Sequence, residues 1–218
     1  MAPPTILIEA AIDSFESAER AVREGANRLE VCANLDVGGL TPTAALINQC
    51  LALGVPCVAM ARPRSGKFIY GADQMKLLHE AIKVVVDAGA NGVVFGVLAG
   101  DGAIDAPTVK ELVKLCGDRE SVFHRAFDTA PYARKALDTL IACGVKRVLT
   151  SGHAATAIEG AATLATLVNQ AAGRIDILPG GTVRGHNVVE LVERTGVKQV
   201  HARATEPGVI AELRAALS

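Results

Sequence analysis

Short runs of β-branched and apolar residues recur along the chain at residues 5–8, 28–31, 57–61, 92–95, 122–123, 147–149, 175–178 and 199–200. Their length and apolar content predict buried strands. After each run, Ala, Leu, Val and Ile return at spacings of three and four with charges between them, as in Ala72-Met75-Leu78-Ile82-Val85-Val86. That period predicts amphipathic helices packed by one face. A mean spacing of roughly 28 residues suits a strand–helix unit. Eight such units fit an α/β chain folded as a (β/α)8 TIM barrel, a single domain over residues 1–218. The alternative is an open doubly wound sheet. Six strands would leave two units over, and no G-x-G-x-x-G follows the first strand. The punctuation agrees with the barrel. Helical stretches stop near Gly25, Gly54, Gly89, Gly144 and Gly196, where glycine relieves a left-handed backbone. Helix starts are marked by Thr41-Pro42 and by Asp105-Ala106-Pro107.

Composition narrows the function classes. The 218 residues are 50% hydrophobic and 21% charged, with 22 Lys and Arg against 23 Asp and Glu. This is a globular composition with a substantial core. A balanced charge argues against nucleic acid as a partner, and the densest basic group, Arg62, Arg64 and Lys67, is too small to follow a polyanion. With 5 Phe, 2 Tyr and no Trp there is no platform for stacking bases. The longest uncharged apolar run, residues 88–100, is interrupted by Asn91 and falls short of the roughly 20 residues of a membrane span. The start, Met1-Ala2-Pro3-Pro4, has no basic segment leading into an apolar one, so a cytoplasmic protein is expected. Cys32, Cys50, Cys57, Cys116 and Cys143 are odd in number and form no C-x-x-C pair. Reduced thiols are therefore expected, not a disulfide framework or a structural zinc site.

In a (β/α)8 barrel the chemistry sits where strands run into the following loops. Read strand by strand, those positions carry Glu9, Glu30 with Cys32, Arg62 with Arg64, His124 with Arg125 and Asp128, Thr150-Ser151, Gly180-Gly181, and His201 with Arg203. A period of two places Glu30 with Cys32, Arg62 with Arg64, and His201 with Arg203 on common faces. Such a mouth suits a small anionic ligand. Arg62, Arg64 and Arg125 would grip carboxylate or phosphate, while Ser151, Gly180 and Gly181 would offer a cradle beside His201. Glu9 or Glu30 would move a proton, assisted by His124 and Asp128. The plainer reading is a buried network in which Glu and Arg neutralise each other.

Taken together, these motifs resemble the copper homeostasis protein CutC family. The resemblance rests on Gly25-Ala26-Asn27-Arg28-Leu29-Glu30-Val31-Cys32, Gly38-Gly39-Leu40-Thr41-Pro42, Arg62-Pro63-Arg64, Phe123-His124-Arg125-Ala126-Phe127-Asp128 and Leu149-Thr150-Ser151-Gly152. It implies a cytosolic (β/α)8 barrel, a homo-oligomer, and binding or handling of copper(I) with Cys32 as the metal ligand, joined by His124, by His201 or by a partner subunit. In the family pattern a second cysteine follows the first-strand glutamate, where this chain has Ala10. Two further departures, Lys67 and Arg203, add positive charge to the mouth if both side chains face it. Two readings therefore stand side by side: a copper(I)-binding protein, and an enzyme acting on a small anionic metabolite by acid–base chemistry.

Overall fold

The computed structural model describes residues 6–218. The start Met1-Ala2-Pro3-Pro4 and Thr5, the first residue of the first predicted strand, lie outside the described residues. Eight strands alternate with eight helices: β1 (Leu7–Ile12), α1 (Phe15–Arg23), β2 (Arg28–Val31), α2 (Ala44–Leu51), β3 (Cys57–Met60), α3 (Ala72–Asp87), β4 (Gly92–Phe95), α4 (Ala106–Leu115), β5 (Glu120–Phe123), α5 (Ala133–Cys143), β6 (Arg147–Thr150), α6 (Ala161–Ala171), β7 (Asp176–Pro179), α7 (Val188–Thr195), β8 (Gln199–Arg203) and α8 (Val209–Ala216). Every strand pairs in parallel with its sequence neighbour from β1 to β7, and β8 returns to pair with β1. β7 lies against β8 and brings the sheet round into a barrel. This is the (β/α)8 architecture expected from the strand–helix rhythm. Among the described residues, no helix is long and apolar enough to cross a membrane.

The strand faces divide the core in two. Ile8, Ala10, Ile12, Leu29, Val31, Ala59, Val93, Phe95, Phe123 and Val148 point outward, where they pack against helix residues such as Leu78, Ile82, Leu137, Leu140, Leu164 and Leu213. A smaller apolar layer of Ala11, Cys32, Leu35, Val58, Met60, Val94 and Val122 fills part of the barrel interior. Much of the remainder of the interior is charged or polar, with Leu149 on the wall of the mouth.

That ionic interior explains where the element boundaries differ from the sequence reading. β1 runs on to Ile12 past the end expected at residue 8, so Glu9 stands inside the strand, with its Cα opposite Arg28 and His201. Likewise β8 continues to Arg203 and β5 begins at Glu120. Charged residues interrupt the apolar pattern but not the strands. The helix starts divide as well. Asp105 caps α4, accepting from the Thr108 N–H with Pro107 in the first turn, as expected. α2, however, starts later and is capped by Thr43. The Thr41 hydroxyl is instead used by the backbone N–H of Arg62, 2.9 Å away, which ties the loop after β2 to the end of β3.

Candidate functional site

The floor of the barrel is an ion network built around Glu9. The first residues of β2, β5, β6 and β8, which are Arg28, Glu120, Arg147 and Gln199, all turn inward there. Arg28 donates from Nε to Glu9 Oε2 and from Nη2 to Gln199 Oε1 at 2.7 Å. Arg147 reaches the same Glu9 oxygen from Nη1 at 2.8 Å and pairs with Glu120 through Nη2. The other carboxylate oxygen, Glu9 Oε1, lies 2.9 Å from His201 Nδ1. Burial favours the neutral acid, but the His201 hydrogen bond and the two guanidiniums outweigh it and hold Glu9 far below the carboxylate range. Glu9 is thus a fixed anion, and it matches the plainer reading of a neutralised network.

One layer higher the balance reverses. Glu30 is 3% exposed, and its nearest cation is the other nitrogen of His201, Nε2, at 3.5 Å. Burial dominates here and raises the Glu30 carboxyl to about 7, against the pull of His201. For His201 itself, burial works against the charged form, yet the carboxylates of Glu30 and Glu9 raise it above its ordinary value. His201 thus stands between the two carboxylates, with Nδ1 on Glu9 and Nε2 toward Glu30.

Glu30 opens into a cavity of about 430 Å³ at the C-terminal mouth of the barrel. Its wall includes Met60, Arg62, Phe68, His124, Arg125, Gly181, Thr182, Arg184, His201 and Arg203. His124, 4% exposed, leaves the end of β5 with its ring beside Phe68, at 4.8 Å between centroids. His124 Nδ1 accepts the backbone N–H of Ala126 at 3.1 Å, which puts the ring proton on Nε2. Burial first, and then the charge of Arg62, lowers His124 to about 3, so the ring is neutral at ordinary pH. Its Nε2–H is buried without a protein partner. The ring occupies this position because β4 is followed by Gly96, where a Cβ would lie 2.3 Å from His124 Cε1.

The arginines divide into those that build the mouth and those that face it. Arg62 spends both terminal nitrogens on the carbonyls of Val37, Gly39 and Gly66, at 3.0–3.2 Å, lies over Phe68, and keeps a buried Nε without a partner. Arg125 is paired with Asp128 at 2.8 Å and hydrogen-bonded to the Ser151 hydroxyl at 2.9 Å. Arg203 faces the cavity and pairs with Asp36.

Of the residues expected at the mouth, Glu30, Arg62, His124, Arg125, Gly181 and His201 line the one cavity, while Glu9 lies beneath it through His201. The others stand apart from it. Arg64 stacks on Tyr70 and grips the carbonyls of Ser65, Lys67 and Ile69 together with the Gln74 side chain, so it shapes the loop after β3. Asp128 accepts from Arg125, Thr150, Ser151 and the His153 N–H, bracing the loop after β6 from behind. Ser151 is fully buried among these partners. Gly180 sits against Leu149, where a Cβ would meet Cδ1 at 2.5 Å. Lys67 is exposed and not part of the wall, whereas Arg203 is part of it. The sequence reading missed Phe68, Thr182 and Arg184 as wall residues, because they sit in loops that only the folded barrel brings to the mouth. It also missed Arg28, Arg147 and Glu120, which begin strands and give no signal of facing inward.

Copper(I), a soft ion, calls for thiolates. Cys32 is fully buried and lies outside the cavity wall, against Gly39 and Met60. Burial, reinforced by the carboxylates of Glu30, Glu9 and Asp13, pushes its thiol well above the ordinary range. Ala10 points outward to the helices, so the position that could face Cys32 from β1 is Ala11, which shares its interior layer. Neither residue offers a thiol, and the other four cysteines are also buried, Cys57 opening β3 at the far end of the barrel. These residues do not fit a copper(I) site. A different set, one atom each from Glu9, Glu30 and His201, comes within 4.8 Å of one another. Its oxygen-rich donors suit a harder divalent ion, but Arg28 and Arg147 already neutralise Glu9.

With this geometry in place, comparison with known proteins is specific. Residues 6–206 match the CutC family model. A CutC family protein of Treponema denticola is 45% identical over 202 residues, 91% of this chain and 81% of the relative. One from Aliivibrio fischeri is 41% identical over 208 residues, 93% of this chain and 84% of the relative. The solved CutC structure from Streptococcus agalactiae is 32% identical, superposes with a TM-score of 0.86, and is covered in full by 92% of this chain. The match runs from β1 to the end of β8 and so takes in the floor network and every residue of the mouth: this chain is a member of the CutC family.

Proposed function

We propose that the barrel mouth is an acid–base active site for a small anionic carbonyl compound. One arrangement carries this reading: Glu30, whose carboxyl burial raises to about 7, and His124, whose Nε2–H has no protein partner, line the same cavity. A general base works best with a pKa close to the working pH, and a neutral N–H donates to an oxyanion as it forms. Glu30 takes the proton next to the carbonyl, and the electron pair moves onto the carbonyl oxygen. His124 Nε2–H stabilises that oxygen, with the Arg62 charge behind it. His201, held by Glu9, keeps the Glu30 side of the cavity from becoming too basic. Arg125, Arg184 and Arg203 supply positive charge for an anionic substrate.

The Streptococcus agalactiae protein is provisionally described as a copper homeostasis protein. Brought to this chain, that role has the family resemblance in its favour and the state of Cys32 against it. The test of the acid–base reading is a panel of phosphorylated and carboxylated aldehydes and ketones, incubated with the protein in D2O and followed by proton NMR. C–H to C–D exchange is expected for at least one compound, rising with pH through about 7 as Glu30 loses its proton. Glu30→Gln is expected to slow it about 100-fold or more, the scale of a lost general base. Exchange that is equally fast in Glu30→Gln would sink the proposal, as would a panel in which no compound exchanges or raises the melting temperature.

A further inference from the structure

Thr182, a β-branched residue on the cavity wall, stands at φ +56° directly after Gly181 at φ +108°. A left-handed backbone is unusual for such a side chain and marks a turn held in place by its surroundings. Here the clamp is Asn187, whose amide donates to the Thr182 carbonyl at 2.9 Å and whose oxygen accepts the Arg184 N–H at 2.9 Å. The Gly181 carbonyl is anchored by the N–H of Ala157 at 2.9 Å. Among the described residues, the N–H groups of Gly181 and Thr182 donate to no protein acceptor. Two guanidiniums flank this turn. Arg184 lines the cavity and spends only Nη1, on the Val183 carbonyl, with no carboxylate partner among the described residues. Arg125 lies against Gly181, where a Cβ would come within 3.6 Å of its Cζ, and its Nη1 has no protein partner among the described residues. Across the cavity, the buried His124 Nε2–H also lacks a partner.

We propose that the turn after β7, with Arg184 and Arg125, is a phosphate-binding subsite, so that the substrate class is a small phosphorylated carbonyl compound. This rests on the acid–base reading of the mouth and adds the group by which the substrate is held. Two successive backbone N–H groups without protein acceptors among the described residues, the free Nε and Nη2 of Arg184 and the free Nη1 of Arg125 suit a dianion with several acceptor oxygens, and demand more of them than a carboxylate offers. The geometry also separates the tasks. Counting round the barrel through β1 and β8, β7 is three strands from β2, so the phosphate would sit away from Glu30 and leave the carbonyl end between Glu30 and His124. Ser151, expected to share the cradle, does not: its N–H already donates to Asp128, as the N–H of the next residue, Gly152, does to the Thr150 hydroxyl.

The test is a titration of the full chain with inorganic phosphate, read by calorimetry and by amide NMR shifts, with acetate as the second anion. The Gly181 and Thr182 amides are expected to shift on adding phosphate, and acetate to bind at least tenfold more weakly. Arg184→Ala should weaken phosphate binding tenfold or more, and Arg184→Lys should recover part of the loss because it keeps the charge without the fork. Glu30→Gln should bind phosphate as tightly as the wild type or more tightly. The subsite is overturned if these amides do not move, if Arg184→Ala binds unchanged, or if acetate matches phosphate. Phosphate bound as expected by a protein that shows no Glu30-dependent exchange supports the subsite while removing the acid–base reading, so the two failures are separable.

Discussion

Glu9 and Glu30 face the same barrel interior from neighbouring strands, and their surroundings drive them apart. Glu9 receives two guanidiniums and an imidazole and stays an anion; Glu30 receives one imidazole edge at 3.5 Å, and burial decides its state. Removing the Glu9 charge would leave Arg28 buried without an anion and Arg147 with Glu120 alone. Glu9→Gln is therefore expected to cost about 3–5 kcal/mol of stability in a urea titration. A cost under about 1 kcal/mol would contradict the role of Glu9 as the anchor of the floor. Cys32 invites an equally local test. A buried thiol held in its neutral form is a poor metal ligand and a poor nucleophile. Wild type and Cys32→Ser should compete equally, and weakly, with a chromophoric chelator for copper(I) under anaerobic conditions. One equivalent of tight binding lost in Cys32→Ser would restore the thiol as a copper site.

At the scale of elements, the outer faces of the strands and the apolar stripes of the helices were legible because each obeys a simple period. Strand ends were not, because this barrel carries its charges inside. Glu9 reads as the end of a strand and is instead its third residue. Glu30, His124 and His201 were expected at the mouth and line its cavity, because in the sequence each reads as a titratable side chain closing an apolar run. Arg184 and Thr182 gave no such signal. Their role depends on the Asn187 clamp, which joins residues three and five apart within a loop. Gly96, just past β4, offers no side chain for chemistry, yet it makes room for the His124 ring. Gly96→Ala would force the ring or the β4 backbone to move, at a cost of about 1–3 kcal/mol. The melting temperature should fall and the His124 ring resonances should shift. A variant with unchanged melting temperature and unchanged His124 resonances would show that the ring does not depend on this glycine.

At the scale of the whole molecule, the barrel buries two titrating groups with opposite effects on stability. His124 falls from 6.5 to about 3 on folding, so its contribution is complete above 6.5 and is lost as pH drops toward 3. Glu30 rises from 4.5 to about 7, so its contribution is complete below 4.5 and is lost as pH climbs through 7. Each changes stability by at most about 1.4 kcal/mol per pH unit, and between 4.5 and 6.5 they offset one another. Glu30→Gln should therefore gain stability steeply with pH across that window, and His124→Gln should lose it, where the wild type is flatter. Denaturant midpoints across that window check both signs. The acid–base chemistry proposed for the mouth depends on a carboxyl kept near neutrality by the closed barrel around it. The most direct measurement is a carbon-detected NMR titration of the Glu30 side-chain carboxyl in the wild-type protein, assigned by its loss in Glu30→Gln. The account predicts a midpoint near 7. A midpoint between about 4 and 5, the range of an ordinary glutamate, would contradict it.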